Sequence, residues 1–183
     1  MSAEVLGTIP SRFAGVLRLD RDAFAGIGAD HRALYQAAAV VILAGVANGL
    51  SIAVNQGTGA AGVALATAGN LAAWGVFAGL VYVVGVGILP GEGTEIEATS
   101  AGVYRTIGYA QAPNLLAIVG VIGTLGQVIA LAGLVWMFIC AIVAASVSLR
   151  VETHRALLIA VIAAIPTLIL LSIVGSILDQ PVM

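Results

Sequence analysis

Charge, aromatics, cysteine and histidine are all scarce in this chain. Only 9% of its 183 residues are charged and 5% aromatic, against 61% hydrophobic. With a mean hydropathy of +1.11, so few charges cannot give a folded domain a polar surface in water, so the composition is that of an integral membrane protein with one domain. The single cysteine, Cys140, excludes an intrachain disulfide and a C-x-x-C metal or redox pair. The two histidines, His31 and His154, are isolated from one another in sequence. Lysine is missing altogether, all seven basic residues being arginine, and nothing physical explains it. No basic stripe exists to bind nucleic acid, and the formal net charge of −2 says little because the charges sit in a few segments. The first thirty residues are too polar to read as a cleavable signal.

What the chain does have is uncharged length. From Pro113 to Leu149 there is no formal charge, a run too long for one membrane crossing of roughly 20 residues and right for two. Gly123-Thr124-Leu125-Gly126-Gln127 reads as the turn between them. Around this hairpin the sequence predicts an all-α integral membrane bundle of five crossings, at about 33–54, 68–89, 106–124, 127–149 and 155–178. Asn55 to about Thr67 reads as a loop, and Pro90-Gly91-Glu92-Gly93 as a stop. The third crossing is ambiguous: Pro113 inside it removes one N–H, which predicts a kink or a short interfacial helix leading into a half-helix. Pro166 lies inside the fifth, and Thr153 is a candidate N-cap before it. Residues 1–32 place Phe13, Val16, Leu17, Phe24 and Ile27 at helical spacing after Pro10-Ser11. Two readings stand for this segment: an amphipathic helix in the headgroup layer, or a docked or partly disordered tail.

Arginine sets the expected orientation. Arg12, Arg18, Arg21 and Arg32 precede the first crossing, Arg105 lies between the second and third, and Arg150 and Arg155 lie between the fourth and fifth. All seven fall on one side, which the positive-inside rule makes cytoplasmic, leaving residues 179–183 as an extracytoplasmic tail. The acidic cluster Glu92, Glu95 and Glu97 shares a loop with Arg105 and reads as solvated.

Catalysis needs converging ionisable groups, and none is predicted at membrane depth. Asn48, Asn70, Asn114, Thr124, Gln127 and Ser172 are the polar groups in or near the crossings, suited to interhelical hydrogen bonds. Cys140 reads as a small buried hydrophobe. His31 and His154, both at cytoplasmic helix ends, are the only candidates to ligate a porphyrin or chlorin, so no cofactor and no metal is expected. Prolines 113 and 166 with the glycine-rich hairpin leave a small-solute transporter or channel as the alternative function. The main reading rests on small residues that admit close helix approach: Gly45 and Gly49, Gly75 and Gly79, Gly120 and Gly123, Ala141 and Ala145, Ala156 and Ala160. They predict a structural, scaffold or accessory protein whose partners are the bilayer and other membrane subunits or its own copy.

Several segments together resemble a known family: Val16-Leu17-Arg18-Leu19-Asp20 with Phe24, Ala33-Leu34-Tyr35-Gln36-Ala37, Trp74, Gly91 to Thr94, Gly123 to Gly126, Trp136, and Arg150 with Arg155-Ala156-Leu157. Most specific is Tyr104-Arg105-Thr106-Ile107 followed by Gly108-Tyr109-Ala110-Gln111-Ala112-Pro113. On these residues the chain resembles the YIP family, the Ypt/Rab-interacting-protein-like membrane proteins, and in particular its small prokaryotic members. The acidic stretch Glu95 to Thr99 departs from the shorter loop that the resemblance implies. The resemblance implies five membrane helices, a cytoplasmic N-terminus and no reaction, in the cell membrane of a prokaryote. Eukaryotic relatives are associated with Rab-type GTPases, but the long polar N-terminal region that goes with them is lacking here, so that partner does not carry over.

Overall fold

In a computed structural model, which describes residues 9–91 and 98–178, the chain is all-helical, with no strand among the described residues. The acidic cluster Glu92, Glu95 and Glu97 and the tail 179–183 lie outside the described residues. Two short helices, α1 (Ile9–Leu17) and α2 (Arg21–Ala29), come first. Asp20 caps α2, its carboxylate accepting from the backbone N–H of Asp22 and Ala23. Val16, Phe24 and Ile27 are fully buried against the bundle, so the described part of this segment is helical and packed on the helices that follow.

α3 (Ala33–Gln56) and α4 (Gly59–Gly87) form an antiparallel hairpin. The stretch expected as a loop to Thr67 is the first third of α4, and Trp74 accordingly sits in mid-helix. Gly57 and Gly59, both at positive φ (72° and 61°), reverse the chain within two or three residues. The reason for the early start is packing. A Cβ on Gly45 would stand 2.8 Å from Cα of Thr67, and one on Gly49 2.8 Å from Cα of Val63, so the two backbones touch along residues 59–67.

The third pass is broken. α5 (Ser100–Tyr109) is capped by Thr99, whose Oγ1 accepts from the backbone N–H of Gly102 at 3.1 Å. A 3₁₀ helix, Ala112–Ile122, then continues in the same direction. Pro113 cannot donate an i→i−4 bond, and Asn114 N–H instead donates to Gln111 at 2.9 Å, the i→i−3 pattern. The stretch 106–124, expected to kink at Pro113 or to split there, is thus a short α-helix followed by an 11-residue 3₁₀ rod. Gly123, at φ 78°, turns the chain into α6 (Thr124–Leu149), which returns antiparallel with Gly133 against Pro113 and Ser148 Oγ bonded to Thr106 Oγ1 at 2.6 Å. Arg150 in a left-handed conformation ends α6, and α7 (Thr153–Leu178) packs on α4 and α6, with Thr153 already inside the helix rather than capping it.

Among the described residues α3, α4 and α6 are long and apolar enough to cross a membrane, with mean hydropathies of 2.2, 1.6 and 2.7, and α7 is apolar from Thr153 to Ile169. The fold is a membrane helical bundle carrying a two-helix cap at the end where α3 begins.

Candidate functional site

Two features stand out: a network of arginines that fastens the cap to the bundle, and a cavity next to it. Both are organised by the segment from Tyr104 to Pro113.

Arg105 was expected in a loop; the N-cap at Thr99 starts the helix early enough to carry it inward, where it is only 6% exposed. Its guanidinium donates to the carbonyl of Gly28 at 2.7 Å and to Nδ1 of His31 at 3.1 Å. Because a guanidinium has only donors, Nδ1 of His31 is the acceptor in this contact. Four residues on, Tyr109 is fully buried and its hydroxyl donates to Oε1 of Gln36 at 2.5 Å. Arg12, also 6% exposed, donates to the same oxygen at 2.7 Å and to Oδ2 of Asp30 at 2.5 Å. Phe13 meets the Tyr109 ring edge-on with centroids 6.0 Å apart. Two further bonds complete the fastening, Arg21 to Ser146 Oγ at 2.6 Å and Trp136 Nε1 to the carbonyl of Leu17 at 3.2 Å, while Arg155 ties α7 to the end of α4 through the carbonyl of Pro90 at 2.8 Å. Trp74 and Tyr104 brace α4 against α5 by exchanging bonds to backbone carbonyls, Trp74 Nε1 to Tyr104 at 3.1 Å and Tyr104 Oη to Gly75 at 3.0 Å.

Burial lowers a guanidinium's affinity for its proton, but in Arg12 the hydrogen bonds to Asp30 and Tyr109 outweigh it and raise the pKa. Asp30 is held below its ordinary 3.8, first by Arg12 and then by the backbone N–H of Arg32. A depressed carboxyl stabilises the fold above its ordinary pKa and loses that contribution as pH falls below it. We therefore expect the α1–α2 cap to loosen in wild type below about pH 4. Fluorescence of Trp136, read in a Trp74→Phe background, will shift red there, and Asp30→Asn will remove that transition.

The cavity, of about 920 Å³, lies between α4, the 3₁₀ helix, α6 and α7. Asn48, Asn70, Gln111, Asn114 and Gln127 give it amide groups; Phe77, Leu134, Phe138 and Ile165 give it apolar walls. Among the described residues no ionisable one lines it. Asn70 Nδ2 donates to the carbonyl of Val41 at 2.8 Å, whereas Oε1 of Gln111 is buried with no hydrogen-bond partner among the described residues.

The other sequence-selected residues are placed as follows. Gly45 and Gly49 face α4, Gly108 lies against Ala37 and Trp74, Gly120 against Ser51, and Gly79 against the Tyr104 hydroxyl. A side chain at Gly75 would meet open space, and Gly123 serves the turn. Ala141, Ala145, Ala156 and Ala160 are buried, as are Ala110, Ala112 and Pro113 of the motif. Cys140 is buried with Sγ toward the carbonyl of Val16. His31 and His154 contact different neighbours, Arg105 for the first and Glu152, at 3.1 Å, for the second. No group of three or more His, Cys, Asp or Glu is poised to hold a metal among the described residues. Sequence reasoning missed Arg12, Asp30 and Gln36 as a cluster; the Thr99-x-x-Gly102 cap was the available sign that Arg105 belongs to a helix.

No curated protein and no solved structure matches the chain. A family model does, the Yip1 domain, over residues 14–175, which takes in both cap helices from Ala14 onward and nearly all of the bundle. Apolar helices and that match agree on an integral membrane protein, and the chain belongs to the Yip1 domain family.

Proposed function

We propose that this protein is a non-catalytic membrane component that acts by helix–helix contact with other membrane proteins or with a second copy of itself. One observation carries the reading. Ala60, Ala64 and Ala68 lie four residues apart along an exposed ridge of α4, beside a shallow groove whose other wall is Ile42, Val46 and Leu50 of α3. A foreign helix can approach that ridge closely, because its side chains end at Cβ. The arginines that could serve chemistry, Arg12, Arg21, Arg105 and Arg155, instead donate to groups of the same chain.

The topology proposed with it is five crossings in a prokaryotic cell membrane, N-terminus cytoplasmic. Ala37 touching Gly108 and Ser51 touching Gly120 support it, since α3 and the third pass then run in the same direction. Purification from native membrane in mild detergent tests the function: a co-purifying protein or a stable dimer is expected, and Ala64→Leu will reduce it at least tenfold. A lone monomer with no companion overturns the proposal. A small-solute carrier is the second reading, favoured by the amide-bearing cavity, and flux of uncharged solutes into liposomes is the measurement that would establish it.

A further inference from the structure

The cavity has a shape and a chemistry of its own. Along α6 it is lined from Gln127 to Ala141, a rise of roughly 21 Å at about 1.5 Å per residue. That exceeds half of a hydrocarbon core about 30 Å thick, the depth one acyl chain occupies. Leu131 and Leu168 line it and are still 60% and 65% exposed, so it opens sideways, where the bilayer lies, rather than to water. Three of the five amide groups lie toward the cap: Gln111 comes two residues after the buried Tyr109, Asn114 follows one 3₁₀ turn later, and Asn70 is bonded at the level of Val41, whereas Asn48 lies deeper and Gln127 sits at the far end beside Asn55. Oε1 of Gln111 is an acceptor shielded from solvent and without a donor among the described residues, a state that is costly when nothing satisfies it. With no charged residue in the lining, a phosphate or ammonium could enter only at the full cost of desolvation.

We propose that this cavity binds an uncharged lipid with one long apolar tail and a hydroxyl head. The hydroxyl donates to Oε1 of Gln111 and accepts from the amide of Asn114; the tail lies along α6 past Leu134 and Phe138. The proposal is independent of the protein-partner reading, which concerns the far side of α4.

Photolabelling of the purified protein in phosphatidylcholine vesicles tests it. The probe is a long-chain primary alcohol carrying a diazirine in mid-tail and a terminal alkyne. Saturable labelling of α6 and α7 peptides is expected, competed by unlabelled alcohol of the same length. Gln111→Leu will weaken apparent affinity about tenfold, the effect of one buried hydrogen bond, without lowering the melting temperature. Asn114→Leu gives the same comparison should the first variant fail to fold, and Ala164→Phe, which narrows the cavity, will abolish labelling. Equal labelling by a diazirine alkane lacking the hydroxyl, or by phosphatidylcholine bearing the same tail, overturns the proposal, because either would mean an unselective apolar crevice. Unchanged affinity in the folded Gln111 or Asn114 variant overturns it as well.

Discussion

Gly126→Val will destabilise the bundle by about 3 kcal/mol, more than any substitution of an exposed glycine on α4. A Cβ at position 126 would be driven into the backbone carbonyl of Val119 and would stand 3.1 Å from Cα of Gly120. Neither neighbour is the end of a flexible side chain, so relief requires moving the 3₁₀ helix away from α6. Gly133 holds the same seam one level closer to the cap, 2.8 Å from the carbonyl oxygen of Pro113 for its hypothetical Cβ. Gly75→Ala is the control, since a methyl there meets nothing within 4 Å. Denaturation in detergent with increasing dodecyl sulfate will show the Gly126 variant unfolding far earlier than wild type and the Gly75 variant alongside it. Coincident curves for all three would mean that the hairpin between the 3₁₀ helix and α6 is packed differently.

Arg105→Met will detach the cap without melting the bundle. The methionine keeps most of the stem's volume but leaves the carbonyl of Gly28 without its donor and His31 without its neighbour. Loss of hydrogen bonds made by a charged donor costs about 2 kcal/mol, which corresponds to a rise of roughly thirtyfold in amide exchange of α2 if that helix opens on its own. Amides of α6 will exchange as before. Arg105→Lys will restore only part of the protection, because an ammonium is a compact charge and lacks the fork that reaches two acceptors at once. Equal acceleration in α2 and α6 would show instead that cap and bundle unfold as one unit.

Both predictions depend on interactions of unequal legibility. The α6 hairpin was readable because a long uncharged run interrupted by Gly123 admits little else in a membrane. The break at Pro113 was readable because proline's missing N–H has a fixed geometric effect. The early start of α4 was not. It opens on Gly59 and Gly62 directly after Asn55-Gln56-Gly57-Thr58, glycines that read as turn chemistry, and the helix is held there because Gly45 and Gly49 bring α3 against Val63 and Thr67. Support from a distant partner leaves no local trace. The arginines failed to reveal themselves for a related reason. In sequence Arg12 and Arg105 read as markers of the aqueous side, and the structure gives each a tertiary contact with a partner 18 to 77 residues away. Charge counting sees the first role and is blind to the second. Among the cavity residues Asn48, Asn70, Asn114 and Gln127 were visible as polar groups in apolar runs, but their convergence on one space follows from the direction of the third pass, which no periodicity encodes.

The 3₁₀ rod has one more implication. Eleven residues wound this way extend roughly 22 Å, whereas the same residues in α geometry extend roughly 16 Å. The difference is about one α-helical turn of length between the motif at Tyr109 and the bend at Gly123. Should the protein change shape during its working cycle, rewinding here would draw the bend at Gly123 toward the cap by that distance while every long helix stayed intact.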